Sequence, residues 1–243
     1  MIPDPATPRP ARAATALVFA GGDALALPDH RRLREAVATD GGEEPLVIAA
    51  DSGLHVAHAG GWTPDLVIGD LDSVDPDQLA QAEAAGARVD RHPAAKAATD
   101  LELAIDTAVD AGVERVVVVG GHGGRLDHLL ANVALLGSDR FAAVSIEAVL
   151  GPAWIHIVRR AATWSGARGD LVTLLAQHGP VTGVTTSGLL YPLDRATLHP
   201  GSTRGVSNEQ LDPTAGVTVA SGVLAVIRPG ETGTHVLSAD AAP

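Results

Sequence analysis

The sequence predicts an α/β protein in two parts: an N-terminal doubly wound parallel-sheet domain over residues 16–150, then a C-terminal all-β sandwich domain over 151–243. Three observations predict it. Four short apolar runs each end in glycine or aspartate. Amphipathic helical patterns stand between them. After about Leu150 the helical period disappears, and short strand-like runs punctuated by Gly, Pro, Ser and Asp take over.

The first apolar run is ALVFAGG, 16–22, preceded by a Pro/Ala-rich leader over 1–15 that is expected to be disordered. PLVIAADSG, 45–53, ends at Asp51; PDLVIGD, 64–70, ends at Asp70; ERVVVVGGHGG, 114–124, ends in a glycine loop. Each is too short for a helix and rich in Val and Ile, as suits strands buried on both faces of a parallel sheet. The stretch TDLELAIDTAVDAG predicts a helix with Leu101, Ile105 and Ala108 on one face, capped by Thr99 and stopped at Gly112. DPDQLAQAEAAG and RLDHLLANVALLG read the same way. Strand–helix alternation implies right-handed crossovers. Beyond Gly151–Pro152 the runs WIHIVRR, DLVTLLA, VTGVTTSGLL, VTVASG and VLAVIRP predict strands.

Composition narrows the partners. The chain is 46% hydrophobic with 2% aromatics, so aliphatic side chains must fill the core. A net charge of -12 argues against nucleic acid, whose phosphates reward a basic face. No apolar run approaches the roughly 20 residues of a membrane span, so no membrane partner is expected. With no cysteine, disulfides and thiolate metal sites are excluded. A cytoplasmic protein is expected.

In an open parallel sheet, ligands bind beyond the carboxyl ends of the strands. There the sequence collects Gly21 and Gly22, Asp51, the acidic turn of Asp70 and Asp72, and the glycine loop. Like charge crowded on one turn costs stability unless a cation holds it. Asp70 and Asp72, two residues apart, can share one hard cation with Asp51, and oxygen ligands suit Mg²⁺ or Mn²⁺. Asp75 and Asp77 fit the next helix's N-terminus. GGHGGRLDH, 120–128, lacks the ending of a P-loop, yet small residues before a helix let N–H groups approach an anion. Arg125 offers a bidentate grip on phosphate, and Asp127 either binds metal or orients Arg125. His122 and His128 read as loop histidines. Lys96, one of few cations near the acidic edge, fits a phosphate, with Asp100 four residues on. Glu102 fits a solvated helix face.

As a set, DSG (51–53), PDLVIGDLDS (64–73), Lys96 with TDLE (99–102), GGHGGRLDH with Asn132, GVTTSGLLYPL (183–193) and GVSNE (205–209) resemble the bacterial thiamine diphosphokinase (thiamine pyrophosphokinase) family, from about Ala16 to Pro229. The resemblance implies a homodimer that uses ATP and Mg²⁺ to transfer a diphosphoryl group to the hydroxyl of thiamine, releasing AMP. It assigns Asp51, Asp70, Asp72 and Asp100 to the metal and phosphate centre, with Asp72 or Asp100 accepting the hydroxyl proton. Gly123, Arg125 and Asp127 fall to the nucleotide loop, with Arg125 catalytic beside Asp72 and Asp100, and Gly21, Gly22, Lys96, Gly121 and Gly124 are expected to bind the nucleotide with them. Tyr191, Ser207 and Asn208 fall to thiamine, at sites shared between subunits. Three positions depart from the family's commoner pattern: Ser52 for glycine, Ala97 for aspartate and Leu103 for lysine. Two other readings compete: a diphosphokinase for another alcohol such as a pterin, and a non-catalytic nucleotide-binding regulatory protein.

Overall fold

The computed structural model describes residues 14–23, 25–38 and 44–230. Its strands are β1 (Thr15–Ala20), β2 (Leu46–Ala50), β3 (Leu66–Gly69), β4 (Arg88–Arg91), β5 (Arg115–Gly120), β6 (Ser145–Leu150), β7 (Ala153–Val158), β8 (Ala161–Ser165), β9 (Leu171–Ser187), β10 (Ala196–Leu198), β11 (Asn208–Glu209), β12 (Thr214–Thr218) and β13 (Ser221–Arg228). Its helices are α1 (Leu27–Ala38), α2 (Gly53–Ala59), α3 (Pro76–Ala84), α4 (Asp100–Ala111) and α5 (Leu126–Leu136). Of the expected leader, residues 1–13 lie outside the described residues, and Thr15 already pairs with Arg115 as the first residue of β1.

Strands β4-β3-β2-β1-β5-β6 run parallel in that spatial order. The chain steps from β1 out to β4, then returns to the other side of β1, so the order reverses between β1 and β5. Adjacent crossovers leave the sheet on opposite faces there, which opens a crevice at the strands' carboxyl ends. Period-2 alternation builds both faces. In β1, Ala16, Val18 and Ala20 pack with Leu101, Ala104, Ile105 and Ala108 of α4. Leu17 and Phe19 face Leu33 and Val37 of α1 and Val56 and Ala57 of α2. Helix α4 has the limits its sequence dictates: the Thr99 side chain accepts the Glu102 N–H, and Gly112 closes it in a left-handed conformation. Asp75 caps α3, accepting the N–H groups of Asp77 and Gln78.

The change of texture at Leu150 is a hairpin, and the sheet passes through it. β7 pairs antiparallel with β6, and β13, β9, β12 and β8 follow in turn. DLVTLLA and VTGVTTSGLL, read as two strands, are the two ends of one 17-residue strand, β9. His178, at φ 58°, bends it, and its register against β13 shifts between Ser221 and Val223. An irregularity of this kind lets one strand bend without ending. VTVASG is likewise split, between the end of β12 and the start of β13. The β half encloses its own core around Trp164, Val172, Leu174, Val217 and Leu224.

A buried polar weld crosses the hairpin. The Glu147 carboxylate accepts from Arg115 Nε (2.8 Å) and Nη2 (3.1 Å) and from Trp154 Nε1 (2.9 Å), with His156 Nδ1 at 3.5 Å. Burial pushes the Glu147 pKa up. The charges of His156 and Arg115, with the hydrogen bonds, outweigh it and hold the group below its ordinary value.

Candidate active site

The acidic cluster is built by backbone that ordinary residues adopt at a cost. Asp51, directly after β2, has φ 47°, and Leu71, between Asp70 and Asp72, has φ 62°. Left-handed non-glycine residues persist only where packing over-determines them. Leu71 is buried with Val67, Val74 and Leu79, which anchors the turn and leaves its two aspartates flanking the anchor. Gly69 has φ 148°, and a Cβ there would lie 2.9 Å from Asp100 Oδ1 and 3.2 Å from the Asp51 Cβ. The glycine is therefore what lets the carboxylates converge.

Asp51, Asp70 and Asp72 each offer a carboxylate oxygen within 4.8 Å of the others. Asp51 Oδ1 is buried and has no hydrogen-bond partner, while Asp51 Oδ2 accepts from Ser73 Oγ. A buried carboxylate oxygen without a donor is costly. Together with the all-oxygen donor set, it fits a hard divalent cation. Asp70, then burial, then Asp51 raise the Asp72 pKa above its ordinary value, as neighbouring like charges do.

Asp100 is the first residue of α4 and stands beside that cluster, paired with Lys96. Lys96 Nζ lies 3.0 Å from Asp100 Oδ1 and 3.6 Å from Asp70 Oδ2. Its side chain is only 13% exposed. Burial pulls the Lys96 pKa down, but Asp100 and Asp70 outweigh it and the net shift is upward. Lys96 is thus a fixed cation at the edge of the acidic site. Glu102, read as a solvated helix residue, instead pairs with Arg140 (3.0 Å), which also holds Asp106 (2.7 Å).

The loops after β1 and β5 interlock at the reversal point. Gly121 N donates to Gly21 O (2.8 Å), and Asp23 N donates to His122 O (2.9 Å). A Cβ on Gly22 would lie 2.2 Å from His122 O, and one on Gly123 2.3 Å from the Asp23 carboxylate. Ser52, at the departure from the commoner pattern, packs its Oγ 2.2 Å from where a Gly21 Cβ would stand. Nothing lies within 4 Å of a Cβ on Gly124, so this part of the loop is open. Arg125 and Asp127 form an exposed bidentate pair, Nη2–Oδ2 2.5 Å and Nε–Oδ1 3.2 Å. Its hydrogen bonds lower the Asp127 pKa to about 2.

The β half carries a separate pocket of about 290 Å³, lined by Tyr191, Pro192, Leu193, Arg204, Gly205 and Asn208. Asn208 is 5% exposed, and its amide is turned onto the backbone. Its Oδ1 accepts from Tyr191 N and Glu209 N, both at 2.9 Å, and its Nδ2 donates to Tyr191 O at 2.8 Å. Asn208 fixes the segment that carries Tyr191, whose side region is 65% exposed. Ser207 does not line the pocket. It sits at φ 57°, its N–H donating to Thr173 Oγ1 at 3.1 Å. Sequence reading passed over Asp23, Ser73 and Arg204. Asp23 had one signal, its place directly after a strand-ending Gly-Gly.

Comparison with known proteins accounts for both halves. The family model for "Thiamin pyrophosphokinase, catalytic domain" matches residues 42–148, and that for "Thiamin pyrophosphokinase, vitamin B1 binding domain" matches 155–224. The chain belongs to the thiamine pyrophosphokinase family. Thiamine pyrophosphokinase of Bacillus subtilis is 26% identical over 218 residues, 87% of this chain and 96% of the relative. A rice relative, thiamine pyrophosphokinase 1, is 26% identical over 81% of this chain and 78% of its own. The crystal structure of the Geobacillus thermodenitrificans family member superposes with a TM-score of 0.70 at 27% identity, covering 90% of this chain and 99% of that one. The Bacillus subtilis structure, at 24% identity and a TM-score of 0.74, shares the fold over 90% of this chain and 100% of its own.

Proposed function

We propose that the protein transfers the diphosphoryl group of ATP to the hydroxyl of thiamine, giving thiamine diphosphate and AMP. The observation that carries this reading is the Asp51–Asp70–Asp72 cluster at the reversal point of the sheet, in a chain of this family. A divalent cation such as Mg²⁺, held by these three carboxylates, would neutralise phosphate charge during transfer. Lys96, one end of which already faces Asp70 and Asp100, adds a fixed positive charge. The glycine loops and the start of α5 receive the polyphosphate on backbone N–H groups, and Arg125 turns from Asp127 to grip it.

The acceptor oxygen bonds to the β-phosphorus as the bond from that phosphorus to the oxygen bridging the α-phosphorus breaks. AMP leaves with that oxygen and its electron pair. The hydroxyl proton passes to Asp72 or Asp100. Asp100 is committed to Lys96 at 3.0 Å, which leaves Asp72 the carboxylate of the two without an ion-pair partner among the described residues.

The acceptor pocket is lined only by residues 191–208, so thiamine and nucleotide have separate lodgings on one chain. The exposed large apolar side chains fall beside the same two places. Leu126 and Leu130 stand in the first turns of α5 after the nucleotide loop, Tyr191 lines the pocket, Leu190 and Val206 neighbour its lining residues in sequence, and Leu171 pairs with Glu209, next to Asn208. A two-fold dimer that presses one patch on the other buries both and closes two equivalent shared sites.

The test is production of AMP and thiamine diphosphate from ATP, Mg²⁺ and thiamine, run beside a pterin alcohol. Stoichiometric AMP and thiamine diphosphate support the reading. AMP release with the pterin alone would assign another acceptor, and ATP binding without turnover would make the protein a non-catalytic nucleotide binder.

A further inference from the structure

The acceptor pocket has a charge that its proposed substrate does not explain. Thiamine carries a permanent positive charge on its thiazolium ring, yet no carboxylate lines the pocket, and the charged residue that does is Arg204. Among the described residues the Arg204 guanidinium has no ion-pair partner, and the residue's backbone N–H donates to Ser202 Oγ at 3.3 Å. In a chain with net charge -12 and 29 acidic residues, this cation lines a cavity without a carboxylate beside it.

The segment that carries Arg204 is not loose. Gly205 O accepts from Leu174 N (2.8 Å), and a Cβ on Gly205 would lie 2.3 Å from Leu174 O, so the loop lies flat on β9. Val206 N donates to Thr203 O (3.0 Å) and Ser207 N to Thr173 Oγ1 (3.1 Å). Asn208, also in the lining, commits its amide to the backbone of Tyr191 and Glu209. The other lining side chains are Tyr191, Pro192 and Leu193, and the pocket's charged donor is Arg204.

We infer that Arg204 is the residue that recognises the diphosphoryl group as it arrives on the acceptor, making this pocket selective for the diphosphorylated product over the alcohol substrate. The inference rests on the reading above and deepens it. A guanidinium repels a thiazolium when the pocket holds only the alcohol. It gains a charge-assisted, bidentate interaction once the bond from the acceptor oxygen to the β-phosphorus has formed and the hydroxyethyl end carries a dianionic to trianionic group. Because the bond to the β-phosphorus is already partly formed in the transition state, an interaction absent from the alcohol complex and growing as that bond forms lowers the barrier to transfer. It also lies on the thiamine side of the reaction, so it complements the cation and Lys96 on the ATP side rather than duplicating them.

The experiment is calorimetric titration of the full chain, with Mg²⁺, by thiamine and by thiamine diphosphate in parallel, for the wild type, Arg204→Gln and Arg204→Lys. A hydrogen-bonded charge pair of this type corresponds to roughly a tenfold to hundredfold change in affinity. The expected result is a thiamine diphosphate Kd raised about tenfold or more in Arg204→Gln, with the thiamine Kd unchanged or lowered. Arg204→Lys should restore part of the difference, since it keeps the charge and loses the fork. Turnover should fall in Arg204→Gln while the KM for thiamine holds. Equal affinity of wild type and Arg204→Gln for thiamine diphosphate overturns the inference. So does equal weakening for both ligands, because Arg204 would then be only a wall of the pocket. A wild type that binds neither ligand sinks the functional reading itself, an outcome distinct from the other two.

Discussion

The α/β half and the β half hold their functional groups by opposite means. In the α/β half the chemistry sits on the ends of buried strands. Asp51 and Leu71 take left-handed backbone there, and Gly69 leaves room for three carboxylates and Lys96 to converge. In the β half the pocket lies on a surface loop pinned by side-chain amides and backbone contacts, with no cluster of charge. The first arrangement stores repulsion that the proposed divalent cation would relieve. The second stores none, and presents shape and one unpaired guanidinium. Under the proposed function the difference assigns charge neutralisation to one half and acceptor recognition to the other, so lesions in the two should separate kinetically.

The largest separation is expected at the acidic turn. Asp70→Asn or Asp72→Asn should lower turnover by about a hundredfold to a thousandfold, with the melting temperature held or raised as like-charge repulsion falls. Turnover and thermal unfolding of the same preparations check it; near-normal activity in both variants would remove the metal assignment.

The next effect joins the halves instead of dividing them. Glu147→Gln leaves Arg115 facing a neutral amide inside the β6–β7 hairpin, and breaking a buried pair costs about 3 kcal/mol. Urea unfolding should show that loss. Because the folded-state pKa of Glu147 is depressed, its contribution to stability is present above the ordinary glutamate value of 4.5 and is lost as pH falls through the lower, folded-state value. The wild type should therefore lose stability on acidification more steeply than the variant. Parallel pH profiles would contradict the weld.

Smaller effects sharpen the contrast from each side. Asn208→Ala frees the Tyr191 segment and should raise the thiamine KM several-fold with little change in the ATP KM. Arg125→Lys keeps charge but loses the planar fork, and should raise the ATP KM several-fold with the thiamine KM steady. Steady-state kinetics with each substrate varied in turn distinguish the two. Crossed effects would mean that the two lodgings are not separate.

The same contrast explains what the sequence disclosed. Buried strands such as Arg115–Gly120 are legible because both faces are apolar, and the helix Asp100–Ala111 because its cap, stripe and terminal glycine agree. Strand β4, Arg-Val-Asp-Arg, was not legible: it is a polar edge strand with exposed ends. Nor was β6, whose apolar run is broken by Glu147, a residue that belongs inside only because Arg115, Trp154 and His156 meet it from elsewhere in the chain. Helix α2 is seven residues long and starts on glycine, too short for a period to show. At the site, the aspartates announced themselves by crowding. Asn208 reads as a ligand until its amide is seen bound to backbone, and Arg204 reads as a solvated loop residue until the pocket beside it is seen.

The central claim is that two halves, each incomplete, form one active site across a dimer, and subunit mixing tests it most directly. Chains carrying Asp72→Asn are mixed with chains carrying Tyr191→Ala and Asn208→Ala, and the mixed dimers are isolated with distinct affinity tags. If sites are shared, one site in each mixed dimer collects every lesion and the other collects none, so activity returns to about half that of the wild-type dimer, as dimer symmetry requires. No recovery in mixed dimers shown to have formed, or a fully active monomer, would contradict the account and place the whole site within a single chain.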